Sequence, residues 1–194
     1  MENTNRRETL MRAAARLMRE NGYPGTSMRD LATAMDIEAA SLYHYVDSKE
    51  DILKEICFGM GRSYLNAMAE VNDIYFNAGE RLGMAVRAHI RILTENLDAS
   101  HVFVHEWRHL SEPSLAAFKK LRDDYENHFR LILRNGEEEG LFNEVDNKFA
   151  VLTILASLNW VVEWYRPNGD MTPEQIADKL TQFILSGLRK DTQA

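Results

Sequence analysis

Apolar residues recur at helical spacing along nearly the whole chain, and no alternating run long enough for a strand interrupts them. Leu10, Ala14, Leu17 and Met18 predict a first helix over about residues 4–21, closed by Asn21-Gly22 in a left-handed cap. Tyr23-Pro24-Gly25 reads as a turn, after which Thr26 or Ser27 caps a short helix whose apolar face is Leu31 and Ala32. Met35-Asp36-Ile37 breaks the pattern, and residues 39–45 form a second short helix. Two short helices joined by a tight turn are the unit that lays its second helix in the major groove of DNA. A third start follows at once, because Ser48 and Asp51 make a capping-box arrangement ahead of Ile52 and Leu53.

From Lys49 onward the pattern is a series of long amphipathic segments. Ile52, Ile56, Met60, Tyr64 and Met68 form one stripe to about residue 71, and Leu82, Val86, His89, Ile90 and Leu93 face inward over about 78–97. A shorter segment covers about 99–110, and Pro113 opens a helix that runs to about 139 and stops at Gly140. Segments 145–166 and 172–189 close the chain, separated by Pro167-Asn168-Gly169. The expected fold is all-α with about nine helices. It divides into a three-helix head with a helix-turn-helix over residues 1–48 and a larger ligand-binding and dimerisation body over 49–194.

The last two segments are unusually apolar. Phe149, Leu152, Leu155, Leu158, Trp160, Val161, Trp164 and Tyr165 leave little of their helix polar, and such a helix must be buried on several sides. An interface formed with Ile176, Leu180, Phe183, Ile184 and Leu188 would bury it in a homodimer, as paired DNA-reading helices on a palindrome require; the alternative is a monomeric core.

Composition fits a packed helical chain: 45% hydrophobic residues, with four prolines and ten glycines in 194 residues. A lone cysteine, Cys57, excludes an intramolecular disulfide and suits a reducing compartment. No secretory pattern opens the chain and no apolar run approaches the roughly 18 residues of a span, so the expected place is the cytoplasm, without a membrane partner. The net charge of −7 looks wrong for a nucleic-acid binder, but it is unevenly spread. In residues 1–49, Arg6, Arg7, Arg12, Arg16, Arg19, Arg29 and Lys49 balance Glu2, Glu8, Glu20, Asp30, Asp36, Glu38 and Asp47, seven against seven. A neutral head on an acidic body can bind phosphate locally while the body resists unspecific association.

No nucleophile elbow, phosphate-cradling glycine loop or thiolate–metal cluster is present, so neither catalysis nor a cofactor is expected. His101, His105 and His109 recur in steps of four, the spacing metal sites use, but no thiolate lies nearby and a solvated histidine face is the preferred reading.

Three stretches carry a resemblance to a known family: Thr26-Ser27-Met28-Arg29-Asp30-Leu31-Ala32, Ser41-Leu42-Tyr43-His44-Tyr45-Val46 and Ser48-Lys49-Glu50-Asp51-Ile52-Leu53. With them the chain resembles, over its whole length, the TetR family of bacterial transcriptional repressors. It departs in having Tyr45-Val46 where the family has phenylalanine after the Tyr-His pair, and Asp36 where it has a turn glycine. Glu106, Leu110, Arg122-Asp123-Asp124-Tyr125-Glu126, Gly136, Gly140 and Asn159-Trp160 through Trp164-Tyr165-Arg166-Pro167-Asn168-Gly169 look like one branch of it. That branch regulates fatty-acid, sterol-fragment and aromatic-acid breakdown in response to acyl-CoA thioesters.

The resemblance implies a double-stranded DNA operator as partner and a small hydrophobic effector, an acyl-CoA. Glu38, Ala39, Ala40, Ser41 and His44 would lie nearest the bases, where an alanine can touch a thymine methyl and Ser41 a purine or phosphate. Tyr43, His44, Tyr45 and Lys49 would contact phosphate, as would Thr26, Ser27 and Arg29; Tyr43 packing within the head is the alternative. The effector pocket would be lined by Phe58, Arg62, Leu65, Ile92, Phe103, Glu106, Trp107, Tyr125 and Phe129, although such an aromatic stripe is also what an ordinary core looks like. Arg62, Arg87 and Arg91 would meet a nucleotide phosphate. Glu106 would face the cavity, or else pair with a buried arginine. A sensor of aromatic or cationic drugs controlling an efflux gene is the competing reading; it needs several buried carboxylates in the cavity, and only Glu106 and Glu163 qualify.

Overall fold

The computed structural model describes residues 2–72 and 76–190, with side chains from residue 6 onward except that of residue 72. Among the described residues it is all-α, with ten α-helical segments, one 3-10 turn and no strand. They are α1 (Glu2–Gly25), α2 (Met28–Ala34), α3 (Ala39–Leu42), α4 (Lys49–Asn72), α5 (Ala78–Glu95) and α6 (Leu97–His105), then the 3-10 turn Trp107–His109, α7 (Ser114–Glu138), α8 (Asn147–Asn159), α9 (Val161–Trp164) and α10 (Pro173–Leu188).

The chain forms two compact units, Met1–Arg62 with Asn96–Lys120, and Ser63–Glu95 with Leu121–Ala194; α4 and α7 lend residues to both. In the first unit Leu10, Ala14 and Met18 bury one face of α1, and Leu31, Leu42, Ile52 and Leu53 are fully buried beside it. α1 packs on α6 and on α2, and α2 on α3. The helical path of α1 breaks at Gly22, as expected, but its φ of 72° and ψ of 162° are an extended conformation open to glycine alone, not the left-handed helical cap the sequence predicted. In the second unit α5 lies along α10, with α8 and α9 also against α5. Its core holds Leu82, Val86, Ile90, Phe129, Ile132, Leu133, Val151, Leu158 and Val161.

Local signals set most helix ends. Ser27 accepts from Asp30 N and closes a reciprocal capping box, so the cap of α2 is Ser27 and not Thr26. Ser48 Oγ accepts from Asp51 N at 3.1 Å at the start of α4. Thr172 and Gln175 make the same box ahead of Pro173 in α10. Three segments differ from their expected form. The helix expected over 39–45 is regular only to Leu42, and Tyr43–Tyr45 follow as turns closed by Tyr45 N–H to Leu42 O at 2.9 Å. The segment expected over 99–110 tightens into the 3-10 turn after His105, and that expected over 145–166 divides at Trp160 into α8 and α9.

After α7 the chain doubles back through Gly140, and Phe142 N donates to Gly136 O at 3.0 Å. The buried Phe142 ring then lies against Gly136, where a Cβ would stand 2.1 Å from its Cδ2. Gly136→Ala should therefore expel the ring. The expected loss is about 1–3 kcal/mol of stability from overpacking, more than the roughly 1 kcal/mol that alanine gains over glycine in a helix. Urea unfolding measures it, and an unchanged or raised midpoint would show that Phe142 does not hold this corner.

Candidate DNA interface and effector residues

The helix-turn-helix is built on a few local bonds. Ser27 Oγ donates to Asp30 Oδ2 at 2.6 Å and Ser27 N to the same oxygen at 2.8 Å, which holds the Asp30 carboxyl below its usual range, while Asp30 N donates back to Ser27 Oγ at 3.2 Å. Met35 ends α2, and Asp36 turns the chain with a φ of 52°, the left-handed conformation expected where a glycine is commoner. Glu38, Ala39 and Ala40 are exposed at the start of α3, Ser41 is half-buried, and Leu42 anchors the helix with no exposure. Tyr43 is 55% exposed, which removes the core-packing alternative; His44 is exposed and Tyr45 half-buried. The outward face of α3 and the turn after it thus carry two alanines and two ring-bearing residues, the first small enough to approach base edges and the second polar enough to meet phosphate. Ser27 and Arg29 are exposed on the preceding helix.

Thr26 and Lys49 stand differently from their expected roles as phosphate contacts. Thr26 is 1% exposed and its hydroxyl donates inward to Gly22 O at 2.9 Å, so its side chain holds the turn instead of presenting itself outward. Lys49 is half-buried, and its ammonium donates to Tyr23 O at 2.8 Å and Thr26 O at 2.7 Å while lying 4.2 Å from the centre of the Tyr23 ring. Two of its three N–H donors are thereby taken, leaving one for phosphate.

Two further residues shape the head that the sequence pattern did not single out. Arg7 binds the Glu55 carboxylate through Nε at 3.1 Å and Tyr45 O through Nη1 at 3.0 Å, tying α1, α4 and the loop after α3 together. The hydrogen bond and charge of Glu55 raise the Arg7 pKa further. Glu50 accepts Ser111 N at 2.8 Å and Ser111 Oγ at 2.5 Å, which lowers its carboxyl pKa. Neither partner is local in sequence, so no helical spacing could reveal it.

The predicted effector residues fall into both units. In the first, Phe58, Phe103 and Trp107 surround Phe118, with ring centres 5.6, 5.5 and 5.8 Å from it. Phe118 is fully buried and was not anticipated. Phe58 and the exposed Arg62 also border a surface groove of about 490 Å³ shared with Tyr43, His44 and Lys54. Glu106 does not pair with an arginine: Oε2 accepts Tyr23 N at 3.0 Å and lies 3.5 Å from His109 Nε2. In the second unit Leu65 is half-buried, Ile92 buried, and Tyr125 and Phe129 meet edge to face at 5.4 Å. His89 joins them, its Nδ1 hydrogen-bonded to Tyr125 OH at 2.9 Å and its ring stacked on Tyr64 at 4.6 Å. Burial pushes the His89 pKa down to about 3, against a smaller opposing effect of Asn159, and drives Tyr125 well above the ordinary phenol value. Both are neutral at physiological pH.

Arg87 is engaged by Asp178 at 2.8 Å in an exposed ion pair, while Arg91 is exposed. The three histidines do not share one face. His101 and His105 lie on α6 with rings 4.5 Å apart, but α6 ends at His105, and His109 on the 3-10 turn stacks on Tyr23 at 5.2 Å.

Lys49→Ala should lower the unfolding free energy by about 1–3 kcal/mol, the worth of hydrogen bonds to a charged group, and weaken binding to all DNA duplexes alike. Unchanged melting together with a loss confined to particular sequences in a competition shift assay would contradict this placement.

Residues 10–56 match the family described as bacterial regulatory proteins, tetR family, and residues 76–188 the tetracyclin repressor-like C-terminal domain. The HTH-type transcriptional repressor KstR2 of Rhodococcus jostii is 31% identical over 196 residues, covering 94% of this chain and 91% of its own. The TetR family regulator PfmR from Thermus thermophilus superposes with a TM-score of 0.84 at 35% identity, over 93% of this chain and 99% of that one. AibR, in complex with isovaleryl coenzyme A and operator DNA, does so with a TM-score of 0.82 at 29% identity, over 92% of this chain and 97% of that one. The chain belongs to the tetR family of bacterial regulatory proteins, and is a DNA-binding transcriptional regulator with a helix-turn-helix head.

Proposed function

We propose that this protein is a homodimeric repressor that binds a palindromic operator and is released from it by a hydrophobic effector, an acyl-CoA thioester. The observation that carries this reading is the likeness, over 92% of the chain, to AibR with isovaleryl coenzyme A and operator DNA bound. Residues 1–48 would read DNA and residues 49–194 would bind effector and partner. Ser27, Arg29, Tyr43, Tyr45 and the remaining Lys49 donor would position the head on phosphates, with Glu38, Ala39, Ala40, Ser41 and His44 toward the bases. The operator inside the cell places the protein in the cytoplasm, in keeping with the finding that no helix among the described residues is long and apolar enough to cross a membrane.

Two features support a neutral acyl ligand over a cationic drug. Glu106, a candidate counter-charge, commits its carboxylate to Tyr23 N. The buried polar groups near Phe129 are the neutral His89 and Tyr125. A cation would need a buried carboxylate there instead. Leu65, Ile92, Tyr125 and Phe129 of the second unit would line the apolar part of the site, and Arg91 would meet the nucleotide phosphates. Release follows from linkage: an effector that favours a conformation unfit for the operator must weaken DNA binding by the factor by which DNA weakens its own.

The dimer is supported by an apolar stripe that the single chain leaves open. Phe149, Leu152 and Trp160 recur along α8 and its end at 70, 47 and 65% exposure, and Phe183 on α10 is 76% exposed. Contiguous apolar surface of this kind marks an interface. Trp160→Glu with Phe183→Glu should yield monomers by sedimentation and abolish operator binding; a persisting dimer would place the interface elsewhere. For the effector, a panel of CoA esters of increasing chain length should raise the melting temperature, with stabilisation near 2.7 kcal/mol at about a hundredfold excess over Kd. The same esters should release DNA in a shift assay. A flat response at every length, equal to free CoA, would sink the acyl-CoA reading.

A further inference from the structure

Glu106 stands where α6 gives way to the 3-10 turn, and its side chain is only 13% exposed. The amide it binds belongs to Tyr23, the residue just past the break at Gly22. Amides beyond such a break need an acceptor from elsewhere, and a carboxylate makes a stronger one than a carbonyl. Tyr23 is also where several other contacts converge. Its carbonyl takes the Lys49 ammonium, its ring carries the same ammonium at 4.2 Å and the His109 ring at 5.2 Å with 22° between planes. Lys49 also reaches Thr26 O, one residue before the Ser27 cap of α2. Ser111, just beyond the 3-10 turn, donates twice to Glu50 in the first turn of α4. The corner between α6 and α7 therefore grips both the turn that seats α2 and the start of α4.

We propose that Glu106 is a positioning residue that couples this corner to the helix-turn-helix, setting the attitude of α2 and α3 through the Tyr23 amide. Its neighbours on the same short segment, Phe103 and Trp107, pack against Phe118. A shift of those rings moves the carboxylate, and through Tyr23, Lys49 and Thr26 it moves the cap from which α2 starts. Coupling is reciprocal, so a change in the head on binding DNA is felt at Trp107 as well. The inference rests on the DNA-binding role of the head and not on the identity of the effector.

The test uses the full chain labelled with 5-fluorotryptophan, the Trp107 resonance assigned with Trp107→Phe, and a duplex that the protein itself selects from a random-sequence pool. Duplex addition should move the Trp107 resonance in the parent and in Glu106→Gln, which keeps an acceptor for Tyr23 N–H. In Glu106→Leu, which keeps bulk without the acceptor, the resonance should stay still and duplex affinity should fall roughly tenfold, the size of one net hydrogen bond to a charged group. A resonance that still moves in Glu106→Leu, or parental affinity in that variant, overturns the proposal. So does a still resonance in duplex-bound parent or in folded, duplex-bound Glu106→Gln, an outcome that decides the matter even if Glu106→Leu fails to fold. A parent that selects no duplex at all would instead overturn the DNA-binding role of the head.

Discussion

The Lys49 ammonium is the contact on which the geometry of the head depends. It ties two carbonyls and one ring of the Tyr23–Thr26 turn to the first residue of α4. Without that tie the Thr26 carbonyl would lose the ammonium and the Tyr23 carbonyl would keep only the 3.3 Å bond from Thr26 N, leaving the residue before the cap of α2 without its link to α4. The interaction is strong because it is half-buried and because the donor is charged, which roughly doubles the worth of each hydrogen bond. It also explains why a neutral head suffices. A charge held by backbone dipoles fixes shape, and the exposed residues of α2 and α3 are left to meet DNA.

The same arrangement recurs at Arg7 and Glu106. Each is a charged residue that could have been read as a surface group, and each is instead bound to backbone groups at the seams between helices: Arg7 to Tyr45 O, Glu106 to Tyr23 N. Short helices such as α3, with four residues, have almost no internal hydrogen bonding to sustain them. Their orientation has to be imposed from outside, by Leu42 and Val46 in the core and by Arg7 at the carbonyl of Tyr45. In the second unit the emphasis is reversed. His89 Nδ1 and the Tyr125 hydroxyl bond one another in a buried, uncharged pair among aromatic rings, because any charge there would go unsolvated.

Much of the fold was legible because its signals are local. Ser27 with Asp30, Ser48 with Asp51 and Asp36 in its left-handed turn are each decided within four residues, and the apolar stripes of α4, α5 and α7 follow from the helical repeat. Where the reading went astray, burial or the end of a helix was in control. Thr26 is buried and turned to Gly22, and His109 leaves the face of its two upstream histidines because α6 stops at His105. Phe118 gave no sign of being the residue around which Phe58, Phe103 and Trp107 gather.

By itself the sequence determined the all-α class, the start and stop of most helices and the helix-turn-helix, since caps, turns and periodicity act over a few residues and need no partner. The tertiary structure alone decided what the charged side chains do. Lys49 reaches back 26 residues to Tyr23, Arg7 forward 48 to Glu55, and Glu106 back 83 to Tyr23. A flexible charged side chain can serve solvent, phosphate or a buried amide equally well. Which of them it serves depends on what folding brings within about 3 Å, and no local pattern records that distance.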